Sequence, residues 1–216
     1  LGAVMIYLWR DIWSIITGGL RRMRGRSDPG ARLAGLLIMG TVPVVLSGFF
    51  LNQFYPEGFR GIEVVGWATF GFGLLLLVAD RVGMTLRRIE HLKVSDAVII
   101  GVTQVLALIP GTSRSGICMT AARMMGLERV DAARFAMLLG IPAILGAGAL
   151  KGFELWKLDD ANMTMDALLA VSFSLVTALI SIHIMMIWLR RATFTIFAVY
   201  RILLGGFLLA VAYKVF

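Results

Sequence analysis

Six long apolar runs, separated by short basic or polar segments, limit what this chain can fold into more than any other feature of its sequence. Each run can form a helix that crosses a hydrocarbon core of about 30 Å, which takes roughly 17–25 residues. Strands with open edges would leave backbone groups unpaired in lipid, so helices are predicted. The expected fold is an all-α membrane protein with about six transmembrane helices. The runs lie approximately at residues 1–20, 33–51, 62–80, 131–150, 165–189 and 194–213.

The composition agrees with a lipid environment. Of the 216 residues 59% are hydrophobic and 16% are charged, with a mean hydropathy of +0.86, whereas a soluble domain is about half apolar and a quarter charged. The formal charge of +8 does not indicate nucleic acid, because the basic residues lie between apolar runs, where they set membrane orientation. One cysteine, Cys118, excludes a disulfide within the chain.

Basic residues predict the orientation of the runs. Cytoplasmic loops are rich in lysine and arginine, and three segments meet this description: 21–32, 81–93 and the Arg190-Arg191 link. The segments at 52–61 and 151–163 carry little basic charge or an acidic excess, so they should face outward.

Residues 94–125 lie between an inner and an outer segment, so the chain must cross the membrane an odd number of times between 81–93 and 151–163. The piece at 113–125 is too short to span and carries two arginines. The economical interpretation is a re-entrant helix–turn–helix over 94–125, after which only 131–150 crosses. Three full crossings also satisfy the count.

This arrangement predicts an inverted-topology repeat within a single integral membrane domain. The first three runs lie in residues 1–93 and the next three, with opposite orientation, in 94–216. Repeats of this kind place the site where broken helices meet. The second repeat begins with the re-entrant segment, whereas the first begins at Leu1. We therefore expect the N-terminus to be truncated, with a hairpin of about 40–50 residues upstream by symmetry.

Residues 110–116, PGTSRSG, are the segment that carries chemistry. Pro110 and Gly111 end one helix, because proline lacks a donor and glycine permits unusual dihedrals. Thr112 and Ser113 are suited to cap the next helix. The start of that helix has free N–H groups and a partial positive charge, and both favour an anion.

A turn that only separates two helices is the weaker interpretation, because the segment contains Arg114. A charged side chain at bilayer depth costs about 2.5–3.5 kcal/mol, and such residues usually line a functional cavity. Its fork of donors suits phosphate oxygens, the hydroxyl of Ser115 adds a further donor, and Gly116 allows close backbone approach. The segment is therefore predicted to bind a phosphate group at the membrane.

Residues 107–116, ALIPGTSRSG, resemble the signature of the undecaprenyl-diphosphate phosphatase family, the bacitracin-resistance proteins. Further similarity lies at Gly126-Leu127, at 135–142 (FAMLLGIP) and at Tyr200-Arg201, so the resemblance covers essentially the whole chain. It implies hydrolysis of undecaprenyl diphosphate to the monophosphate carrier used in cell-wall synthesis, in the bacterial plasma (inner) membrane.

The resemblance also implies roles for nine residues. Arg114 and Ser113 are the expected catalytic residues, in an in-line attack on the terminal phosphorus with charge held by Arg114, helix N–H groups and a divalent cation. Cys118 stands where this family usually has threonine, and a thiol is the weaker hydrogen-bond partner. The expected substrate-binding residues are Gly111, Thr112, Ser115, Gly116, Gln104, Cys118 and Thr120.

The family's glutamate-rich motif and its Ser-Ser-x-Gly-His stretch have no counterpart in this chain. The cation, Mg or Ca, should be held by those absent carboxylates, so no metal ligand is assigned here. We expect the 216-residue chain to be inactive by itself. A transporter or flippase for a polyprenyl phosphate is the alternative, since inverted repeats suit it equally. The expected partners are a polyprenyl diphosphate lipid and the membrane, with no nucleic acid, and a homodimer is possible.

Two other charged or titratable residues lie within or beside apolar segments. Arg123 is interpreted first as part of a polar connection before the next run, with substrate contact as the less favoured alternative. His183 lies within an apolar run, where ionisable residues are often functional, but packing against another helix explains it at least as well.

Overall fold

The computed structural model describes residues 1–24, 28–54, 61–157 and 161–214. These residues form α-helices and short 3-10 helices, and they contain no strand. The prediction of an all-α membrane fold is confirmed. The α-helices of these residues are α1 (Gly2–Tyr7), α2 (Trp9–Met23), α3 (Pro29–Phe54), α4 (Ile62–Val82), α5 (Val94–Gln104), α6 (Arg114–Met124), α7 (Arg129–Lys157), α8 (Ala161–Leu189) and α9 (Thr195–Ala212).

Four helical stretches in the described part of the chain are long and apolar enough to cross a membrane. They lie in α3, α4, α8 and α9, at Pro29–Leu51, Ile62–Val82, Leu169–Leu189 and Thr195–Ala212. The predicted run at 131–150 lies within α7, whose first two turns carry Arg129, Asp131 and Arg134. The count of about six spans stays a prediction.

The first predicted span, 1–20, differs from the structure. The helix is interrupted at Leu8, where φ is −99° and ψ is 29°, and a separate helix, α2, begins at Trp9. Asp11 then turns toward α7, where it forms an ion pair with Arg134. Asp11, a charge near the middle of the predicted run, is thus paired with a residue of another helix.

The outward segments are only partly described. Residues 151–157, predicted as loop, are helical, because α7 continues to Lys157. The charges assigned to Arg60, Asp159 and Asp160 lie outside the described residues, as does Arg26 of the basic segment 21–32.

Helices α4 and α9 pack against each other in antiparallel directions through small residues. Gly66 lies against Leu209, and Gly73 lies against Arg201. A Cβ added to Gly205 would lie 2.5 Å from a backbone nitrogen of α4, so the two backbones are nearly in contact. Close approach through glycine is typical of helices packed in membranes.

The inverted-topology repeat expected from the sequence stays a prediction.

Helices α5 and α6 form a short helix–turn–helix packed against α3, α4 and α7. Each has 11 residues and is therefore about 16 Å long, which is too short to cross the hydrocarbon core. A Cβ added to Gly101 of α5 would lie 2.2 Å from the carbonyl oxygen of Gly40 in α3. Backbone contact with α3 thus positions the hairpin, and its re-entrant course stays a prediction.

A buried ion-pair network joins the ends of α4, α6, α7 and α9. Arg123 has no exposed surface, and its Nε donates to Asp80 Oδ1 at 3.1 Å. The same oxygen accepts from Arg129 Nε at 2.8 Å, while Asp80 Oδ2 accepts from the backbone N–H of Phe194 at 2.9 Å. Arg123 is therefore a structural residue, in agreement with the favoured interpretation of the sequence.

We predict that Arg123→Met destabilises the protein by about 3–5 kcal/mol, because Asp80 would lose a partner while remaining buried. The midpoint of thermal unfolding in detergent measures this. Arg88→Met is the matched control: Arg88 and Glu128 are 65% and 39% exposed, and loss of an exposed pair changes stability by less than about 1 kcal/mol. Equal midpoints for the two variants would contradict the structural role.

Candidate functional site

The PGTSRSG segment forms a tight turn between α5 and α6. A 3-10 turn at Val105–Leu108 continues α5, and the chain then takes positive φ angles at Gly111 (93°) and Ser113 (64°). Glycine adopts such angles readily, whereas serine does so with strain. Strain of this kind persists only where surrounding contacts hold it, and the two neighbouring helices supply them.

The turn is held from outside by one residue of α4 and one of α9. The hydroxyl of Thr69 donates to the carbonyl oxygen of Gly111 at 3.2 Å. Arg201 Nη2 donates to the carbonyl oxygens of Gly111 and Thr112 at 2.8 and 2.7 Å. A Cβ on Gly111 would lie 2.5 Å from a backbone oxygen of α4. The turn therefore rests directly on the α4–α9 pair.

This attachment leaves the start of α6 free to bind an anion. Ser113 caps the helix by accepting from the N–H of Gly116, although at 3.4 Å this hydrogen bond is weak. In the described part of the chain, the N–H groups of Arg114 and Ser115 donate to no protein acceptor. Free donors at a helix start, with the partial positive charge of the helix, suit phosphate oxygens.

Arg114 belongs to α6 and points toward α7, whereas Arg201 approaches α6 from α9 on another side. Arg114 is half-buried, and a Cβ on Gly140 of α7 would lie only 2.4 Å from Arg114 Nη2. Glycine at this position thus makes the space that the guanidinium occupies. Among the described residues, neither Arg114 nor Arg201 has a carboxylate partner, so both positive charges remain uncompensated by protein.

A cavity of about 270 Å³ opens beside the first turn of α6. Its polar side consists of Ser113, Ser115, Gly116 and Arg201, and Arg114 does not line it. The remaining wall is apolar or aromatic and comes from Leu76, Met119, Met185, Phe194, Phe197 and Tyr200. The cavity thus has one polar end within an otherwise apolar wall, and the sequence-predicted residues Ser113, Ser115 and Gly116 meet there.

The other predicted site residues lie deeper or are already paired. Gln104 and Cys118 are fully buried, and the thiol donates to Gln104 Oε1 at 3.4 Å. Gln104 Nε2 and the hydroxyl of Thr112 are buried without a hydrogen-bond partner in the described structure, and neither residue lines the cavity. Thr120 instead uses its hydroxyl within α6, donating to the carbonyl oxygen of Gly116 at 2.8 Å.

The residues at this turn do not fit a divalent cation. Such ions take oxygen ligands, above all carboxylates, whereas the polar side of the cavity presents hydroxyls, an N–H group and a guanidinium. No group of three or more His, Cys, Asp or Glu residues suited to a metal occurs in the described ranges. The divalent cation therefore stays a prediction, and the residues of the turn do not supply its ligands.

Three residues that shape the site are absent from the sequence-predicted set: Arg201, Thr69 and Gly140. Arg201 carries a signal, since it is an arginine within an apolar run, and both Arg201 and Gly140 lie in stretches that resemble the family. Thr69 carries none, because it matters only through the turn that it contacts. His183 packs edge-on against the Tyr7 ring at 6.0 Å between centroids, in agreement with the packing interpretation.

The described residues combine membrane-length helices, no strand, and an arginine without a carboxylate partner beside free N–H groups at a helix start. This is an all-α membrane protein whose turn is suited to an anion. More narrowly, the chain belongs to the family of the bacitracin resistance protein BacA, which matches residues 1–207. The family resemblance predicted from the PGTSRSG segment is thereby confirmed.

Several relatives of the chain are named undecaprenyl-diphosphatase. The chain is 49% identical over 214 residues to undecaprenyl-diphosphatase 1 of Rhodospirillum rubrum, covering 99% of this chain and 76% of that protein. It is 45% identical over 216 residues to undecaprenyl-diphosphatase of Ruegeria pomeroyi (99% and 81% covered). With undecaprenyl-diphosphatase of Desulforudis audaxviator it shares 37% over 212 residues (98% and 79% covered).

We predict that Arg201→Lys loosens the turn, because an ammonium cannot reproduce the planar guanidinium that donates to both carbonyls. Hydrogen bonds to charged groups are worth about 1.5–3 kcal/mol, so hydrogen–deuterium exchange should accelerate roughly tenfold or more. The reporting amides are Thr112, which donates to Ile109 at 3.3 Å, and Ile117, which donates to Ser113 at 3.0 Å. Arg190→Lys, at an exposed position, should leave both rates unchanged, and unchanged rates in Arg201→Lys would contradict the clamp.

Proposed function

We propose that this protein hydrolyses undecaprenyl diphosphate to undecaprenyl phosphate and inorganic phosphate, and so recycles the lipid carrier of cell-wall synthesis and confers bacitracin resistance. The observation that carries the proposal is the half-buried Arg114, with no carboxylate partner among the described residues, beside the free N–H groups of α6. Relatives covering nearly the whole chain are named undecaprenyl-diphosphatases. Both point to a phosphate ligand at this turn.

The proposed chemistry is transfer of the terminal phosphoryl group to water. The phosphoanhydride P–O bond breaks, a P–O bond to the water oxygen forms, and the water's protons pass to phosphate or solvent. Negative charge develops on the leaving oxygen along such a path while the phosphoryl oxygens remain anionic, and fixed donors in a site of low dielectric constant stabilise both. Arg114 and the N–H groups of Arg114 and Ser115 are suited to this task, with Ser113 at the strained cap.

We further propose a multi-pass location in the bacterial plasma (inner) membrane, with the basic segments in the cytoplasm. Association into homodimers and the need for a divalent cation also remain proposals. The inactivity expected of the 216 residues alone is tested separately, by phosphate release from that purified chain.

Phosphate release from undecaprenyl or farnesyl diphosphate by the purified protein, expressed as its gene encodes it, tests the function. Parallel vesicle assays with a fluorescent polyprenyl phosphate test the alternative of a transporter. We expect released phosphate and no accelerated movement of the probe between leaflets. Movement of the probe without phosphate release would overturn the enzyme and support a flippase.

We predict that Arg114→Ala lowers kcat/KM for phosphate release on the order of 10²-fold or more, the range found when one charge-stabilising donor is removed. Arg114→Lys should recover little, because the bidentate geometry is lost. Arg191→Ala, an exposed arginine, is the control and should retain activity. Near-normal turnover in either Arg114 variant would remove this residue from the site.

We also predict that Gly140→Ala lowers kcat/KM by displacing the Arg114 guanidinium from its niche. A misplacement of about 1 Å can reduce rates on the order of 10²-fold, and the added Cβ meets only the flexible end of a side chain, so the unfolding midpoint should change little. Gly146→Ala is the control on the same helix, because a Cβ there has no neighbour within 4 Å. Equal activity in both variants would show that Gly140 does not position Arg114.

A further inference from the structure

Helix α2 is fixed to the rest of the protein by one side. A Cβ on Gly18 would lie 2.5 Å from the backbone nitrogen of Ala31 in α3, and one on Gly30 would lie 1.9 Å from the carbonyl oxygen of Ser14. Backbones this close leave no room for lipid or a partner between α2 and α3. Anything that binds α2 must therefore approach from the other sides.

The opposite side of α2 carries a stripe of four exposed apolar residues. Trp9, Trp13, Ile16 and Leu20 are 59%, 64%, 52% and 59% exposed. Their spacing of four, three and four residues places them on one face of a helix. Exposed apolar faces of this kind mark interaction or membrane sites, and tryptophan is enriched at the boundary between lipid headgroups and acyl chains.

A polar flank runs parallel to this stripe. Arg10, Thr17 and Arg21 each follow a stripe residue directly, so they lie about 100° further round the axis. The Arg10 guanidinium lies 5.6 Å from the centroid of the Trp9 ring. Arg21 pairs with Asp28 at 3.0 Å, yet its side chain remains 62% exposed. The Arg21 side chain thus remains accessible to anionic groups, and Arg10 lies beside a tryptophan of the stripe.

Contacts with neighbouring helices direct the beginning of α2 toward one membrane surface. Gly2 and Tyr7 lie in turn against Leu175 and His183 of α8, so α1 runs toward the C-terminal end of α8 and α2 begins beyond it. Asp11 pairs with Arg134 in the second turn of α7. With 15 residues, α2 is about 22 Å long and cannot cross a core of about 30 Å.

We propose that α2 lies within the membrane interface instead of crossing the bilayer. Its apolar stripe contacts the part of the acyl chains next to the headgroups, and Arg10 and Arg21 bind the phosphates of anionic lipids. The leaflet is the one adjoining Arg190 and Arg191 at the end of α8. Interfacial helices characteristically combine tryptophan and leucine on one face with arginine on another. Each basic residue near an anionic leaflet contributes about 1 kcal/mol of attraction, so the lipid is specified by charge complementarity.

Spin labels at the four stripe positions test the placement of α2. Trp9→Cys, Trp13→Cys, Ile16→Cys and Leu20→Cys, one per chain, are labelled after reconstitution in vesicles containing phosphatidylglycerol. The native Cys118 is fully buried and should not react. We expect depths from oxygen and nickel-complex accessibility to agree within about one helix turn, 5.4 Å, near the acyl boundary. A progressive change of about 16 Å from position 9 to position 20, or labels at 13 and 16 accessible only to the water-soluble nickel complex, would overturn the proposal.

Lipid selectivity tests the anionic ligand independently. In the same vesicles, the motionally restricted fraction of spin-labelled phosphatidylglycerol is compared with that of spin-labelled phosphatidylcholine. The double variant Arg10→Gln, Arg21→Gln should lose severalfold in its preference for phosphatidylglycerol. The matched variant Arg10→Lys, Arg21→Lys retains the charges and should keep the preference. An unchanged preference in the glutamine variant would show that these arginines do not bind the headgroups.

Discussion

Close packing of α4 against α9 is the constraint on which the rest of the structure depends. Because Gly66, Gly73 and Gly205 carry no side chains, the two backbones approach each other almost to contact. This approach brings Thr69 and Arg201 together at the carbonyl oxygens of Gly111 and Thr112. Near the C-terminal end of α4, Asp80 accepts from the backbone N–H of Phe194, which precedes α9, and pairs with two arginines.

The same packing explains how a strained turn can persist at an anion site. The clamp from α9 occupies carbonyl oxygens of the turn, while the N–H groups of Arg114 and Ser115 have no acceptor in the described part of the chain. Arg114 adds a positive charge that the described part of the protein does not neutralise. Arrangements with several unsatisfied donors and uncompensated cations are costly in a medium of low dielectric constant. They are understandable where an anionic ligand supplies the missing partners.

The sequence predicted the features that depend on local pattern. Apolar runs identified the membrane-length stretches in α3, α4, α8 and α9, and the Pro-Gly pair with its serines located the break between α5 and α6. It did not predict the interruption at Leu8 or the niche at Gly140, because both depend on residues brought together by the fold. Asp11 and Arg134 are 123 positions apart, and Arg201 is 90 positions from Gly111. No local period encodes such contacts.

The most direct measurement is the structure of the protein, expressed as its gene encodes it, in complex with a non-hydrolysable prenyl methylene-bisphosphonate. Our account predicts phosphonate oxygens within about 3.2 Å of the Arg114 guanidinium and of at least one N–H group at Arg114 or Ser115. A bisphosphonate bound elsewhere in the molecule, with Arg114 and the start of α6 contacting only protein or solvent, would contradict it.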